Sequence, residues 1–229
     1  MAAPIRVISS MATRQLLADL VARFQATASQ VVQVESVGGV DAAKRVKAGE
    51  AFDVVVLAAN AIDDLIAAGK IVAGSRVDIV TSGVAIAVRA GAPHPDISSE
   101  DAVKRAVYAA RSLSYSTGPS GVALAKLFER WGIAEQLKSR IVQAPPGVPV
   151  GTLVARGDVE LGFQQLSELM HLEGIDVLGP LPPAIQIITT FSGGVARTSA
   201  QPDAVRALLT FLASPQTASI KQKNGMDAA

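Results

Sequence analysis

Val7-Ile8-Ser9-Ser10-Met11-Ala12-Thr13-Arg14 is the stretch whose reading decides the fold. Ile5, Val7 and Ile8 make a short buried strand. From Arg14 the apolar residues Leu16, Leu17, Leu20, Val21 and Phe24 recur at helical spacing, which predicts a helix over 14–27. Three hydroxyl residues, Ser9, Ser10 and Thr13, lie between strand and helix among small neighbours. A strand-to-helix turn of this composition presents free backbone N–H groups with partial positive charge and suits an anion. The alternative is that Ser9 or Ser10 caps the helix through its side chain. Recurrence of similar turns along the chain favours the anion.

The run 31–37 predicts a second strand, ending in Gly38-Gly39-Val40-Asp41 before a helix through Ala48. The glycine pair lets backbone approach a ligand, unless this is an ordinary turn with Asp41 as cap. Lys44 and Arg45 face either ligand or water. Phe52–Leu57 is a nearly continuous apolar strand, as expected in a parallel sheet covered on both faces. Ala58-Ala59-Asn60 leads from it into a third helix, and Ala59 joins the candidate ligand contacts. Three strand–turn–helix units in succession imply an α/β sheet whose loops cluster at the strands' carboxyl ends.

A long strand follows over 80–89, broken by Ser82-Gly83, and Ser98-Ser99 precede a helix start. Leu113–Tyr115 predicts a strand running into Ser116-Thr117-Gly118-Pro119-Ser120-Gly121 and a helix carrying Leu124, Leu127, Phe128 and Trp131. This is the second strong anion turn, with proline near the helix start. It lacks the lysine and spacing of a nucleotide-binding loop. Residues 145–149 form a rigid proline turn. Val159–Phe163 is a strand ending at Gln164 and Gln165, whose amides are candidate donors to a ligand. Residues 179–183 are expected to be a linker, 185–197 a β-rich stretch, and 202–213 and 215–223 helices.

Composition sets the bounds. The 229 residues suffice for one large domain or two lobes, and 49% hydrophobic against 18% charged residues describes a packed globular chain. A net charge of +1 and 4% aromatic residues argue against a nucleic-acid surface. Without cysteine there is no disulfide, thiolate metal site or cysteine nucleophile. His94 and His171 lie far apart, so neither a metal nor an organic cofactor is expected. No apolar run reaches the length of a membrane span. With the first strand at Ile5, no secretory leader is read in the sequence.

In order and spacing, several segments resemble the type II periplasmic solute-binding proteins of ABC importers, and within them the molybdate-binding branch. Ile8-Ser9-Ser10-Met11 is similar to that family's serine turn and Gly38-Gly39 to its second ligand turn. Residues 51–56 resemble its third strand, Ser82–Val88 its first crossover strand, and 155–162 a later Gly-Glu-Ala-Asp-like segment. The resemblance covers nearly the whole length. It implies a two-lobed type II periplasmic-binding-protein fold, each lobe a mostly parallel α/β sheet flanked by helices. Lobe one would be 1–81 plus 194–229 and lobe two 82–193, joined by two crossing strands. The ligand would lie in a cleft between them, contacted by turns at 9–14, 38–40, 116–121 and 163–165. It further implies a monomeric periplasmic carrier whose partners are a small anion and the membrane permease subunits of an importer, with a cytoplasmic location as the alternative.

One departure bears on the ligand. Molybdate binders carry a tyrosine or similar polar residue where this chain has Phe163-Gln164-Gln165, and Arg14 stands one turn into the first helix, placed to pair a carboxylate. The alternative for Arg14 is a solvated helix charge. The candidate contacts Ser9, Ser10, Thr13, Arg14, Gly38, Gly39, Ala59, Ser116, Thr117, Ser120, Gln164 and Gln165 thus favour an organic di- or tricarboxylate over molybdate. The branch is also similar to aconitate isomerases, so a 1,3-proton shift stands as the alternative to transport. Such a shift needs a base, for which Glu168, His171 and Tyr115 are the titratable candidates. Glu168 is read as an exposed helix residue, and for want of a compelling base the carrier ranks ahead.

Overall fold

The computed structural model describes residues 3–145 and 147–229, so Met1, Ala2 and Pro146 of the expected proline turn lie outside the described residues. In chain order the elements are β1 (Ile5–Ser10), a 3-10 turn (Met11–Thr13), α1 (Arg14–Gln25), β2 (Val32–Val37), α2 (Gly39–Lys47), β3 (Val54–Ala58), α3 (Ala59–Ala67) and β4 (Val77–Arg89). Then come α4 (Glu100–Ala109), β5 (Leu113–Tyr115), α5 (Pro119–Arg130), α6 (Ala134–Leu137), α7 (Val150–Arg156), β6 (Leu161–Gln165), α8 (Leu166–Leu169) and β7 (Ile175–Pro180). The chain closes with β8 (Ile188–Val195), α9 (Pro202–Ala213), α10 (Ala218–Lys223) and β9 (Asp227–Ala228). It divides into two compact units. The first takes the chain up to Ser82 together with Thr189–Ala229, and the second takes Gly83–Ile188.

In the first unit β1 pairs in parallel with β2 (Ser9 opposite Ser36) and with β3 (Ser9 opposite Val56), and β8 runs antiparallel to β3. Every residue of β3 is buried, which is why that stretch reads as an unbroken apolar run. Alternation along the strands divides the core into two layers. Val7, Val54 and Val56 join Leu16, Leu20, Phe24 and Leu209 on one side, where the Phe24 and Phe211 rings lie 5.3 Å apart. Ile8, Val55 and Leu57 join Val46, Ile62 and Leu65 on the other.

In the second unit β5 runs parallel to β6, while β4 is antiparallel to both β6 and β7. One face of β6 packs through Phe163 onto Phe128 of α5, which also meets Tyr115 and Trp131 at centroid distances of 5.8–6.2 Å. The other face is covered by α7: a Cβ placed on Gly162 would lie 2.5 Å from Val154 Cγ2. Two expectations are corrected. Gly179 and Pro180 are the end of β7, not a linker. Every side chain of β7 before Pro180 is half-buried, so neither face writes an alternating pattern, and proline is tolerated on an edge strand. The segment 215–223 is a 3-10 turn (Pro215–Thr217) followed by α10.

Candidate functional site

Parallel pairing places three turns of the first unit side by side at the carboxyl ends of β2, β1 and β3. The register continues Ser10 opposite Val37 into Met11 beside Gly38, and Ala58 lies two residues past Val56. None of the helices that begin there has a side-chain cap: not at Ser10, Thr13, Gly38 or Ala58. The capping expected of Ser9, Ser10 or Asp41 is therefore not formed. Elsewhere the chain does cap, Ser99 accepting from Ala102 N at 3.2 Å at the start of α4. First-turn N–H groups without a side-chain partner are the feature an anion requires.

The individual side chains differ in what they offer. Ser9 is fully buried, and its hydroxyl meets Ser36 Oγ at 2.7 Å, so it ties β1 to β2. Thr13, buried, donates back to the Ser10 carbonyl at 3.1 Å. Ser10, 7% exposed, has only a 3.5 Å contact to Thr13 and stays available. Gly38 and Gly39 have negative-φ backbone, and a Cβ on either would come no closer than 3.4 Å to a neighbour. Neither conformation nor packing demands glycine there, which leaves open N–H groups as its use. Ala59 is half-buried at the first position of α3. Arg14 is exposed and, among the described residues, has no ion-pair partner, although it sits where the helix dipole disfavours a cation. Arg45, by contrast, is held by Glu35 and Glu50, and Lys44 is exposed near Asp41, so neither faces the turn as a free charge.

In the second unit Tyr115 lies opposite Phe163 on β6, so the register brings Ser116 beside Gln164. Ser116 Oγ lies 3.2 Å from Ser120 Oγ, and Thr117 is exposed. Helix α5 has no side-chain cap, and its first turn presses so closely on the preceding strand end that a Cβ on Gly121 would fall 1.6 Å from Ser116 O. Only glycine fits there. Gln164 and Gln165 are 4% and 3% exposed. Gln164 is not a free donor: its Oε1 accepts the Val150 N–H at 2.8 Å and its Nε2 donates to Glu168 Oε1 at 2.8 Å.

Glu168 is half-buried, correcting its reading as an exposed helix residue. Burial pushes its carboxyl up to about 7, against a smaller lowering by the Gln164 hydrogen bond. A carboxyl of that pKa takes and returns a proton near neutral pH. The other two candidate bases sit in different surroundings. His171 is exposed past the end of α8. Tyr115 packs its ring on Phe128, on the face of the sheet opposite Gln164, and burial raises its phenol further. The Val150 N–H that anchors Gln164 is a partner no sequence pattern signals, because it is backbone and fourteen residues away.

A profile of the bacterial extracellular solute-binding protein family matches residues 5–227. The chain belongs to that family. An aconitate isomerase from a Pseudomonas species is 43% identical over 185 residues, covering 80% of this chain and 70% of that protein. Among solved structures, the periplasmic molybdate-binding protein of Azotobacter vinelandii is similar with a TM-score of 0.80 at 19% identity, over 97% of this chain and 98% of that one. A sulfate-binding protein of Mycobacterium tuberculosis gives 0.80 at 16% identity, over 98% and 86%. These structural likenesses establish the fold expected from the sequence, the type II periplasmic-binding-protein fold. At such identities they are silent on the ligand.

Proposed function

We propose that this protein binds a small unsaturated polycarboxylate and shifts its double bond by a 1,3-proton transfer, with Glu168 as the base. The observation that carries this reading is Glu168 itself, a half-buried carboxyl poised at about 7, one turn past the end of β6, where it accepts the Gln164 amide. Identity of 43% to a protein named aconitate isomerase supports the substrate class. In the proposed step the Glu168 carboxylate takes a proton from the saturated carbon next to the double bond. The C–H electron pair becomes a new C=C bond, the old π pair moves onto the adjacent carboxylate as enolate-like charge, and the proton returns at the far carbon. Nothing is oxidised or reduced, and the step needs no cofactor.

The uncapped turns of each unit are the proposed carboxylate donors: the N–H groups after Ser10, Gly38 and Ala58, and the Ser116, Thr117 and Ser120 hydroxyls. Arg14 supplies the guanidinium that pairs a carboxylate in two bonds. Gln165 stays a proposed contact, whereas Ser9 and Thr13 act by holding the turn. A panel of molybdate, tungstate, citrate and trans-aconitate in a thermal-shift assay tests the ligand class, ligand at a hundred times its dissociation constant adding about 2.7 kcal/mol. Incubation with trans-aconitate in deuterated water, followed by NMR, tests the chemistry: conversion with deuterium incorporation is expected. Binding without turnover would instead make this a monomeric carrier serving permease subunits, and a response to molybdate alone would overturn the carboxylate reading.

A further inference from the structure

The amide of Gln164 has only one orientation open to it. The Val150 N–H is a donor with no accepting capacity, so the group facing it at 2.8 Å must be the Gln164 oxygen, and Nε2 is thereby turned to Glu168 Oε1 at 2.8 Å. The side chain is 4% exposed and lies on the face of β6 that α7 covers, next but one to Gly162. Strand β6, helix α7 and the Glu168 carboxyl are linked in this way by one rigid amide.

We propose that Gln164 is a positioning residue: its amide, locked by Val150, fixes the Glu168 carboxyl by Oε1 and leaves Oε2 as the oxygen that moves the proton. This rests on Glu168 being the base. A donor on one carboxylate oxygen stabilises the ionised form, which is the form a base needs, against the burial that opposes it. Other charges do not do this. The elements packed on α8 include β6, α7 and β7, and β4, whose Ala85 and Ala87 cluster with Leu169. Their charged groups are Arg156, exposed at the end of α7, Arg89, exposed at the end of β4, Asp78 at the other end of β4, held by Arg76 and Ser192, and Asp176, which is engaged by His94 and the Gly91 N–H. Just beyond α8, His171 and Glu173 are exposed. Among the described residues, burial raises the Glu168 carboxyl and the Gln164 hydrogen bond lowers it.

The test is the variant Gln164→Met, which keeps the length and volume and removes the donor. The rising limb of kcat against pH should move up by about one unit, a hydrogen bond to a charged group being of that order, with KM little changed. Val150→Pro is the second variant. It removes the anchoring N–H at a first helical position, behind Pro149, where proline is tolerated, and should shift the limb in the same direction. A raised KM with an unmoved limb would make Gln164 a ligand contact and overturn the proposal. The Glu168 carboxyl is also titrated by carbon NMR, assigned by its loss in Glu168→Gln. If the wild type does not turn over, the isomerase reading fails, while an upward shift of that carboxyl in both variants still upholds the Gln164 clamp. An unshifted carboxyl sinks the clamp whatever the activity.

Discussion

The Gln164 amide donates to Glu168 Oε1 at 2.8 Å, one helical turn apart, across the junction where β6 becomes α8. A carboxyl held between burial and a single donor has opposed requirements in stability and in chemistry, and that opposition is measurable.

Glu168→Gln is expected to abolish turnover of trans-aconitate and to raise stability above pH 7. The folded protein binds the Glu168 proton up to about 7, whereas the unfolded chain releases it near 4.5. Between these values the native state holds more protons, so stability falls as pH rises, by at most about 1.4 kcal/mol per unit from this group. The glutamine variant loses that slope. Urea unfolding at pH 5 and pH 8 checks it, and equal pH dependence in both proteins would contradict the buried-acid reading.

Arg14→Ala should leave the melting temperature nearly unchanged, since the side chain is exposed and makes no ion pair among the described residues. Affinity for a tricarboxylate should fall by about tenfold or more, the scale of a charge-assisted hydrogen-bond pair. Arg14→Lys should restore only part of it, because an ammonium cannot make the forked contact. Isothermal titration calorimetry distinguishes this from a solvated surface charge, which would show no loss.

Gly39→Ala should be neutral or slightly stabilising, because alanine suits a helix by up to about 1 kcal/mol over glycine and its methyl meets only ordinary contact with Ser10 Cβ at 3.5 Å. Ligand affinity should nonetheless drop, the methyl crowding the open N–H groups. Unchanged binding would remove this turn from the site.

Lys221→Met should stabilise the protein. The lysine is 1% exposed, its amine has no hydrogen-bond partner among the described residues, and burial lowers its pKa. An unpaired buried polar group costs about 1–3 kcal/mol, which a methionine of similar length avoids. A lower melting temperature for the variant would reveal a partner for that amine.

Much of this molecule is legible locally. The apolar run of β3 is continuous because both faces are covered, the α1 stripe repeats because one face meets the sheet, and glycines and hydroxyls mark the strand ends because open N–H groups need small neighbours. Those signals lie within a few residues of each other, and they predicted most of the element order and an α/β sheet, while the type II fold was implied by the resemblance of the ordered segments to that family. What only the tertiary structure decided concerns partners distant in the chain. Ser9 and Ser10 are chemically identical and adjacent, yet one is engaged by Ser36 and the other remains available, since alternate residues of a strand face opposite sides. Glu168 reads as a surface helix residue until the fold half-buries it against the Gln164 amide, and Gln164 reads as a ligand donor until the Val150 amide claims its oxygen. Desolvation depends on everything packed nearby, so the protonation of Glu168 is a property of the fold and not of the segment that carries it.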